Sequence, residues 1–572
     1  MWSQSRHTTD LQTDISQNHR FWSSILSTCS ARFINNRYRQ LRHFCISAVS
    51  RRFSQIARIQ WLSVALVAVL GFAGSATVGF IGGIPEPEVP DEFAHLLAAD
   101  TFAHGRLTNP THPMWIHFET LQVIHQPSYM SKYPPGQGVI LAVGQVLSGK
   151  PILGVWISFG LMCAAVCWML YAWVRPSWAF LGGFLVMLHP SLGLNGYWAQ
   201  SYWGGAVAAT GGALVIGGLR RIVRRAQMRD ALLLAIGLAL LANSRPYEGL
   251  LFSLPTAVVL LVWICTRQRA DFRIAMTRIV LPLFVIVTLT GIAMVFYNLS
   301  GTGSLFFTPY QVHEATYGEP PKFPWQALYP QPTYNHKVMA NNVATELTVF
   351  NQRRLVMDFL LWKKGVLRSY WDFYLGIVFS IPLLIMAPML LALVLRNRWM
   401  LFALLTCIVL IAAVTVESWS GYHYAAPITG LVFVFVLQAM RLWRWRDRRT
   451  ARWVVNLIIL FCLYMLGRSV YADMKQGRSP DWRQDRARLV RQLEKQPGKH
   501  LVIVRYGPAH RVAHEYVYNR ADIDGAKVVW ARDMVEPQNR ELVEYFKDRQ
   551  LWYLDEGWDS PSSVNLYRAQ TR

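Results

Sequence analysis

Acidic residues are scarce in this chain: 33 Asp and Glu stand against 57 Lys and Arg in 572 residues, for a formal net charge of +24. Charged residues of every kind make up only 16%, while 53% are hydrophobic, with 23 Trp, 24 Tyr and 28 Phe. So little charge, with the apolar residues in long runs, excludes a multi-domain soluble protein. Cysteine is sparse too. The seven are at 29, 45, 163, 167, 265, 407 and 462, none in the polar segments 83–151, 299–372 or 472–572, so those segments carry no disulfide. Cys163 and Cys167 share one helix face as small packing residues. The histidines show no compact ligand spacing such as H-E-x-x-H, no internal repeat is visible, and no cleavable secretory signal is evident.

The chain does have apolar runs, at 61–82, 152–174, 177–193, 200–219, 231–246, 249–266, 279–298, 373–395, 399–416, 427–440 and 453–471. A perpendicular span prefers about 20 residues, so the shorter runs have soft ends. Basic residues cluster between runs, at 220–225, 267–278, 396–398 and 441–452. If the basic N-terminus is cytoplasmic and each run crosses once, every one of these clusters falls inside. Segments 83–151 and 299–372 and the tail after 472 then fall outside. This is a membrane pattern, and it leaves no role for a nucleic-acid partner. The run 136–147 is too short to span and follows Pro134-Pro135, which predicts a helix on the outer surface.

Residues 1–60 hold nine Arg, no Lys and two acids. A targeting segment, a plain cytoplasmic extension and a mis-assigned start all fit that composition. At the other end, 482–496 reads as a basic amphipathic helix. Residues 501–504 and 527–530 read as strands, 541–549 as a helix and 551–554 as a third strand. Together they predict a small α/β domain over 472–572. The expected class is an α-helical polytopic membrane protein of about eleven spans (61–471) with an extracytoplasmic C-terminal α/β domain.

The unusual polar residues fall on one predicted side. Asp91-Glu92 follows the first run at once, after Pro85, Pro87 and Pro90. Charge so close to a bilayer is costly to leave unpaired. Asp91 and His95 lie at i, i+4, a spacing that suits a shared proton and general-base chemistry. The bland reading is acids in a first helical turn, favoured by the helix dipole. Arg245, Tyr247 and Glu248 sit where two spans meet, either as an ion pair or as a phosphate site. Tyr422-His423-Tyr424 sits before a late span, where aromatics also form an interfacial belt. In 299–372, Thr308-Pro309-Tyr310 and Tyr334-Asn335-His336-Lys337 are too aromatic for a linker. A long segment of this kind covers a binding site.

Asp91-Glu92 in a first external loop, then Lys132-Tyr133-Pro134-Pro135 before a surface helix and Tyr-His-Tyr-Ala-Ala-Pro at 422–427, resembles the GT-C superfamily of membrane glycosyltransferases. It is similar to protein O-mannosyltransferases and to bacterial aminoarabinose transferases. The resemblance covers 61–471. It implies a polyprenyl-phosphate sugar as donor and inverting transfer to a hydroxyl of a lipid, glycan or protein acceptor. In a bacterium the site would face the periplasm from the inner membrane. It also implies Asp91 as general base with Glu92 in support, and Lys132, Arg245 and His423 on the donor phosphate. His95, Tyr133, Tyr247, Glu248, Tyr310, His336, Tyr422 and Tyr424 would line the substrates. No metal is required, since a monophosphate carrier leaves readily; Mg or Mn held by carboxylates and phosphate is the alternative. A transporter or flippase, or a ligase using a diphosphate-linked lipid, are the rival classes. Transporters place charge at mid-membrane on broken helices, whereas here the spans are nearly charge-free.

Overall fold

The computed structural model describes residues 52–266, 269–476, 482–534, 536–558 and 564–569. Most of the basic N-terminal extension therefore lies outside the described residues, as do Cys29 and Cys45. The chain forms two units, 1–62 and 63–572. Helix α1 (Gln60–Gly82) leads into the second unit, and everything below concerns that unit.

A helix occupies each predicted apolar run. The core of the bundle is α4 (Ile152–Trp173), α6 (Gly205–Arg225) and α16 (Tyr422–Arg446), buried along most of their length. Around them, in chain order, come α5 (Pro176–Met187), α7 (Met228–Ser244), α8 (Pro246–Cys265) and α9 (Phe272–Thr302). The broken pair α13 (Gly376–Ile385) and α14 (Ala387–Arg396), then α15 (Arg398–Thr415) and α17 (Arg448–Gln476), complete the set. Among the described residues, eight helices, or nine with the broken pair as one span, are long and apolar enough to cross a membrane. Phe284, Leu289, Ile292 and Phe296 on α9 and Trp453, Leu457 and Leu460 on α17 are exposed apolar side chains, the surface a bilayer covers.

Three runs depart from simple spans, each for a local reason. The run 177–193 is helical only to Met187, because His189-Pro190 cannot extend it. The following 188–204 is irregular, and α6 starts after Gly204, whose φ of 94° suits only glycine. The run 373–395 bends by 71° between α13 and α14; Pro388 lacks the N–H that would continue the helix.

Segments 83–151 and 299–372 are not open loops. The first carries α2 (Pro90–Ala103), a three-stranded antiparallel sheet of β1 (Asn109–Pro110), β3 (Ser128–Ser131) and β2 (Val123–Ile124), and a helix over the run 136–147, α3 (Pro135–Ser148). Helix α3 lies so close to α4 that a Cβ on Gly154 would run into the Ile140 carbonyl. The second segment folds into α10 (Pro309–Tyr317), α11 (Lys337–Arg353) and α12 (Val356–Tyr374), with an extended aromatic stretch between α10 and α11.

The C-terminal domain is the expected α/β unit. Helix α18 (Trp482–Lys495) precedes β4 (Lys499–Tyr506), which sits between β5 (Val528–Arg532) and β6 (Arg549–Glu556), parallel to both. Leu501 to Val504 are buried without alternation, as a central parallel strand demands. The helix expected over 541–549 is α19 (Gln538–Tyr545), and Arg549 instead opens β6. A fourth strand, β7 (Val564–Arg568), pairs antiparallel with β6 and was not foreseen. The segments predicted outside touch one another. Lys132 pairs with Glu319 at 3.0 Å, His112 with Asp524 at 3.1 Å, and the Arg532 guanidinium donates to the Glu119 carbonyl at 2.5 Å.

Candidate active site

Helix α2 starts at Pro90, a proline at its first turn where no N–H is needed, with Asp91 and Glu92 beside the dipole's positive end. Asp91 accepts a short hydrogen bond from the Tyr133 hydroxyl. Tyr133 is held between β3 and α3, its N–H donating to Ser131 Oγ at 3.2 Å. The Asp91–His95 proton pair expected from their spacing is not made. His95 instead sets its ring 4.8 Å from the Tyr133 ring, and its Nδ1 is buried without a partner among the described residues. Burial, helped by the nearby Arg245 charge, pushes the imidazole down to about 3, so it stays neutral.

Glu92 turns the other way. It is 3% exposed and accepts the N–H of Glu88 and of Tyr202, both at 2.7 Å. Burial raises its carboxyl above the ordinary range, and these N–H groups oppose the shift. Glu92 thus anchors the proline-rich entry and the irregular 188–204 segment to α2, rather than standing beside Asp91.

Of the three expected phosphate cations, Lys132 is already committed. Its ammonium meets Glu319 at 3.0 Å, with His313 Nδ1 3.2 Å from the same carboxylate oxygen, and lies 4.8 Å from the Tyr310 ring centre. Burial alone would raise Glu319; Lys132 and His313 outweigh it and hold it low. Glu314 and Glu346 close by are pushed up to about 7, chiefly by burial. Arg245 is looser. It lies 3.8 Å from Glu248 and its guanidinium covers the Tyr424 ring at 4.6 Å. His423 is buried between Trp203 at 4.6 Å and Tyr424 at 4.8 Å. Tyr422 is fixed by stacking on Phe373 at 4.3 Å and by the Tyr374 hydroxyl donating to its carbonyl at 2.8 Å.

Asp91, His95, Lys132, Tyr133, Arg245, Tyr310, His423 and Tyr424 therefore gather at one end of the bundle. Tyr247 and Glu248 belong to an adjoining rim. There Lys322 reaches Glu417 at 3.4 Å and covers the Tyr247 ring at 4.2 Å. Lys363 donates to the Glu417 carbonyl at 2.6 Å and to Ser420 Oγ at 3.1 Å. Burial first, and the Glu248 charge second, push Glu417 up to about 8, and burial pushes Lys363 down to about 7. Of the residues at this rim, sequence reasoning named Tyr247 and Glu248 and missed Glu417, Lys322 and Lys363; Glu417 lies five residues before the Tyr422-His423-Tyr424 motif, the one signal that could have found it. His336 does not join the site. It meets the Ile116 carbonyl at 2.7 Å and Glu119 at 3.7 Å, beside Arg532. Among the described residues, no three His, Cys, Asp or Glu side chains gather in metal-binding geometry.

The buried histidines make the fold acid-sensitive. His95, His125 and His336 are each pushed down to about 3, first by burial. Their folded values lie below the unfolded one of about 6.5, so the unfolded chain takes up protons first as pH falls. Each histidine's contribution is full above pH 6.5 and drops below it, by up to about 1.4 kcal/mol per pH unit. The raised carboxyls of Glu314, Glu346 and Glu417 take up protons first in the folded chain and act in the opposite sense. His125→Leu, which removes one such histidine, should therefore gain thermal stability relative to the parent in detergent as pH drops from 7.5 to 5.

The structure defines a polytopic helical membrane protein with a C-terminal α/β domain, in which Asp91, Arg245, His423 and their aromatic neighbours collect at one end of the helical bundle. This fold is that of ArnT from Cupriavidus metallidurans, whose crystal structure with undecaprenyl phosphate matches at a TM-score of 0.50. The two share 14% identity over 85% of this chain and 92% of that one. The oligosaccharyltransferase of Archaeoglobus fulgidus in its apo form matches at a TM-score of 0.45, with 10% identity over 89% of this chain and 74% of that one. No family model matches the sequence, and no curated protein does.

Proposed function

We propose that this protein is a membrane glycosyltransferase that moves a sugar from a polyprenyl-phosphate carrier to an acceptor hydroxyl on the outer face of the membrane. The observation that carries the reading is one carboxylate, Asp91, placed at the end of the bundle within a site that also holds Arg245, His423 and Tyr424. The fold likeness to ArnT, crystallised with undecaprenyl phosphate, supports it.

In this reading Asp91 removes the acceptor's hydroxyl proton as the oxygen attacks the anomeric carbon. The bond from that carbon to the phosphate oxygen breaks, and the carrier phosphate leaves with the electron pair on the opposite face, inverting the centre. Charge grows on the phosphate, and Arg245 with a His423 N–H meets it. Lys132 adds positive field through its pair with Glu319 rather than as a free donor. Tyr133 holds the Asp91 carboxylate until the acceptor hydroxyl arrives. A monophosphate leaves readily, so the reading requires no metal. The acceptor is a hydroxyl of a lipid, glycan or protein, and in a bacterium the site faces the periplasm.

The test is direct. Purified full-length protein, radiolabelled undecaprenyl-phosphate sugars and a membrane extract as acceptor should yield labelled acceptor and undecaprenyl phosphate in equal amounts. Transfer from a nucleotide sugar without the lipid carrier would sink the proposal. Arg245→Ala should lower kcat/KM for the donor by about 10–100-fold, the worth of a charged hydrogen bond, through a higher donor KM as well as a lower kcat.

A further inference from the structure

Successive helical residues turn by about 100°, so Asp91 and Phe93 leave α2 on opposite sides. Asp91 faces Tyr133, and Phe93 faces the C-terminal domain. Its ring lies flat on Tyr518, with centroids 4.1 Å apart and planes 2° from parallel. The Arg486 guanidinium is 4.8 Å from the Phe93 centroid. Arg486 is fixed in turn, donating to the carbonyls of Tyr516 at 3.2 Å and Tyr518 at 3.0 Å. Tyr518 reaches back to the Leu121 carbonyl at 3.4 Å. Further along α2, Asp100 accepts the Ala521 N–H at 2.8 Å. The start of α2 has no side-chain cap, so its first turn depends on outside contacts for its place.

We propose that Tyr518 and Arg486 are positioning residues for the base, through which the C-terminal domain fixes the first turn of α2 and thereby the Asp91 carboxylate. The proposal rests on the reading of Asp91 as base. Neither residue meets the reacting atoms. Both act through Phe93, and a shift of the carboxylate by a fraction of an ångström suffices to slow the chemical step.

The experiment uses the full chain in detergent with the transfer assay above. Tyr518→Ala should lower kcat about ten- to a hundred-fold, leave donor KM within about two-fold, and speed amide exchange over residues 88–97. Tyr518→Phe keeps the ring and should restore both readouts. Trp552→Ala, which removes a half-buried β6 side chain from the opposite core of the domain, should change neither. Unchanged kcat in Tyr518→Ala overturns the proposal, as does a rise in KM alone or a kcat loss without faster exchange. An equal kcat loss in Trp552→Ala overturns it too, since the effect would then be general domain integrity. Active Asp91→Asn enzyme removes the base reading and the positioning claim with it, whereas silent exchange in Tyr518→Ala removes only the hold on α2.

Discussion

Asp91→Asn lowers sugar transfer by about 10²–10⁴-fold, the contribution of a positioned general base. Membrane abundance and thermal midpoint stay near those of the parent. The amide keeps the shape of the carboxylate, and its oxygen still accepts from the Tyr133 hydroxyl. It sacrifices only the favourable charge at the start of α2, about 0.3–1 kcal/mol. What it cannot do is accept the acceptor's proton as the new bond forms. Donor KM should therefore hold while kcat falls, which separates Asp91 from Arg245. Full activity in the Asn variant would remove Asp91 from the chemistry. Truncation at Glu92 should act differently: its carboxylate takes two backbone N–H bonds, so Glu92→Ala strands those donors and lowers the thermal midpoint as well.

Lys132→Ala should destabilise the protein by about 3–5 kcal/mol, the usual cost of removing one partner from a buried ion pair. The two side chains are only 4% and 8% exposed, and Glu319 would be left with His313 as its nearest partner. Replacing both members, as Lys132→Leu with Glu319→Leu, should recover most of the stability, because two packed apolar side chains need no desolvation of charge. Thermal unfolding in detergent of the two single variants and the double variant measures the coupling. A Lys132→Ala protein with an unchanged midpoint and weakened donor binding would instead make Lys132 a free phosphate donor.

The helices over the apolar runs were legible because an apolar run of bilayer length can fold only one way in lipid; eight or nine among the described residues have the length to cross, against the eleven spans expected. Each predicted run carries a helix, and the short run after Pro134-Pro135 became α3. The β4 strand was legible for a similar reason, as four consecutive aliphatic residues. Partner choice was not legible. The i, i+4 rule pairs Asp91 with His95 in a helix interior, but Asp91 stands in an uncapped first turn and finds Tyr133 instead. Lys132 looked free because Glu319 is 187 residues away in sequence. The three helices of segment 299–372 lack long apolar runs, so the hold of Lys322 and Lys363 on the Glu417 turn could not be read from pattern. His336 was placed by composition alone, and it lies against Glu119.

The grip on α2 also sets a timetable for the growing chain. Synthesis delivers Asp91 early, just after the first span. The Tyr202 N–H that fixes Glu92 emerges 110 residues later, and the ring that clamps Phe93 only with the C-terminal domain. A nascent or truncated chain therefore holds a membrane-inserted bundle whose base is still unplaced. On the proposed function, transfer would begin only once the last domain has folded onto the first loop.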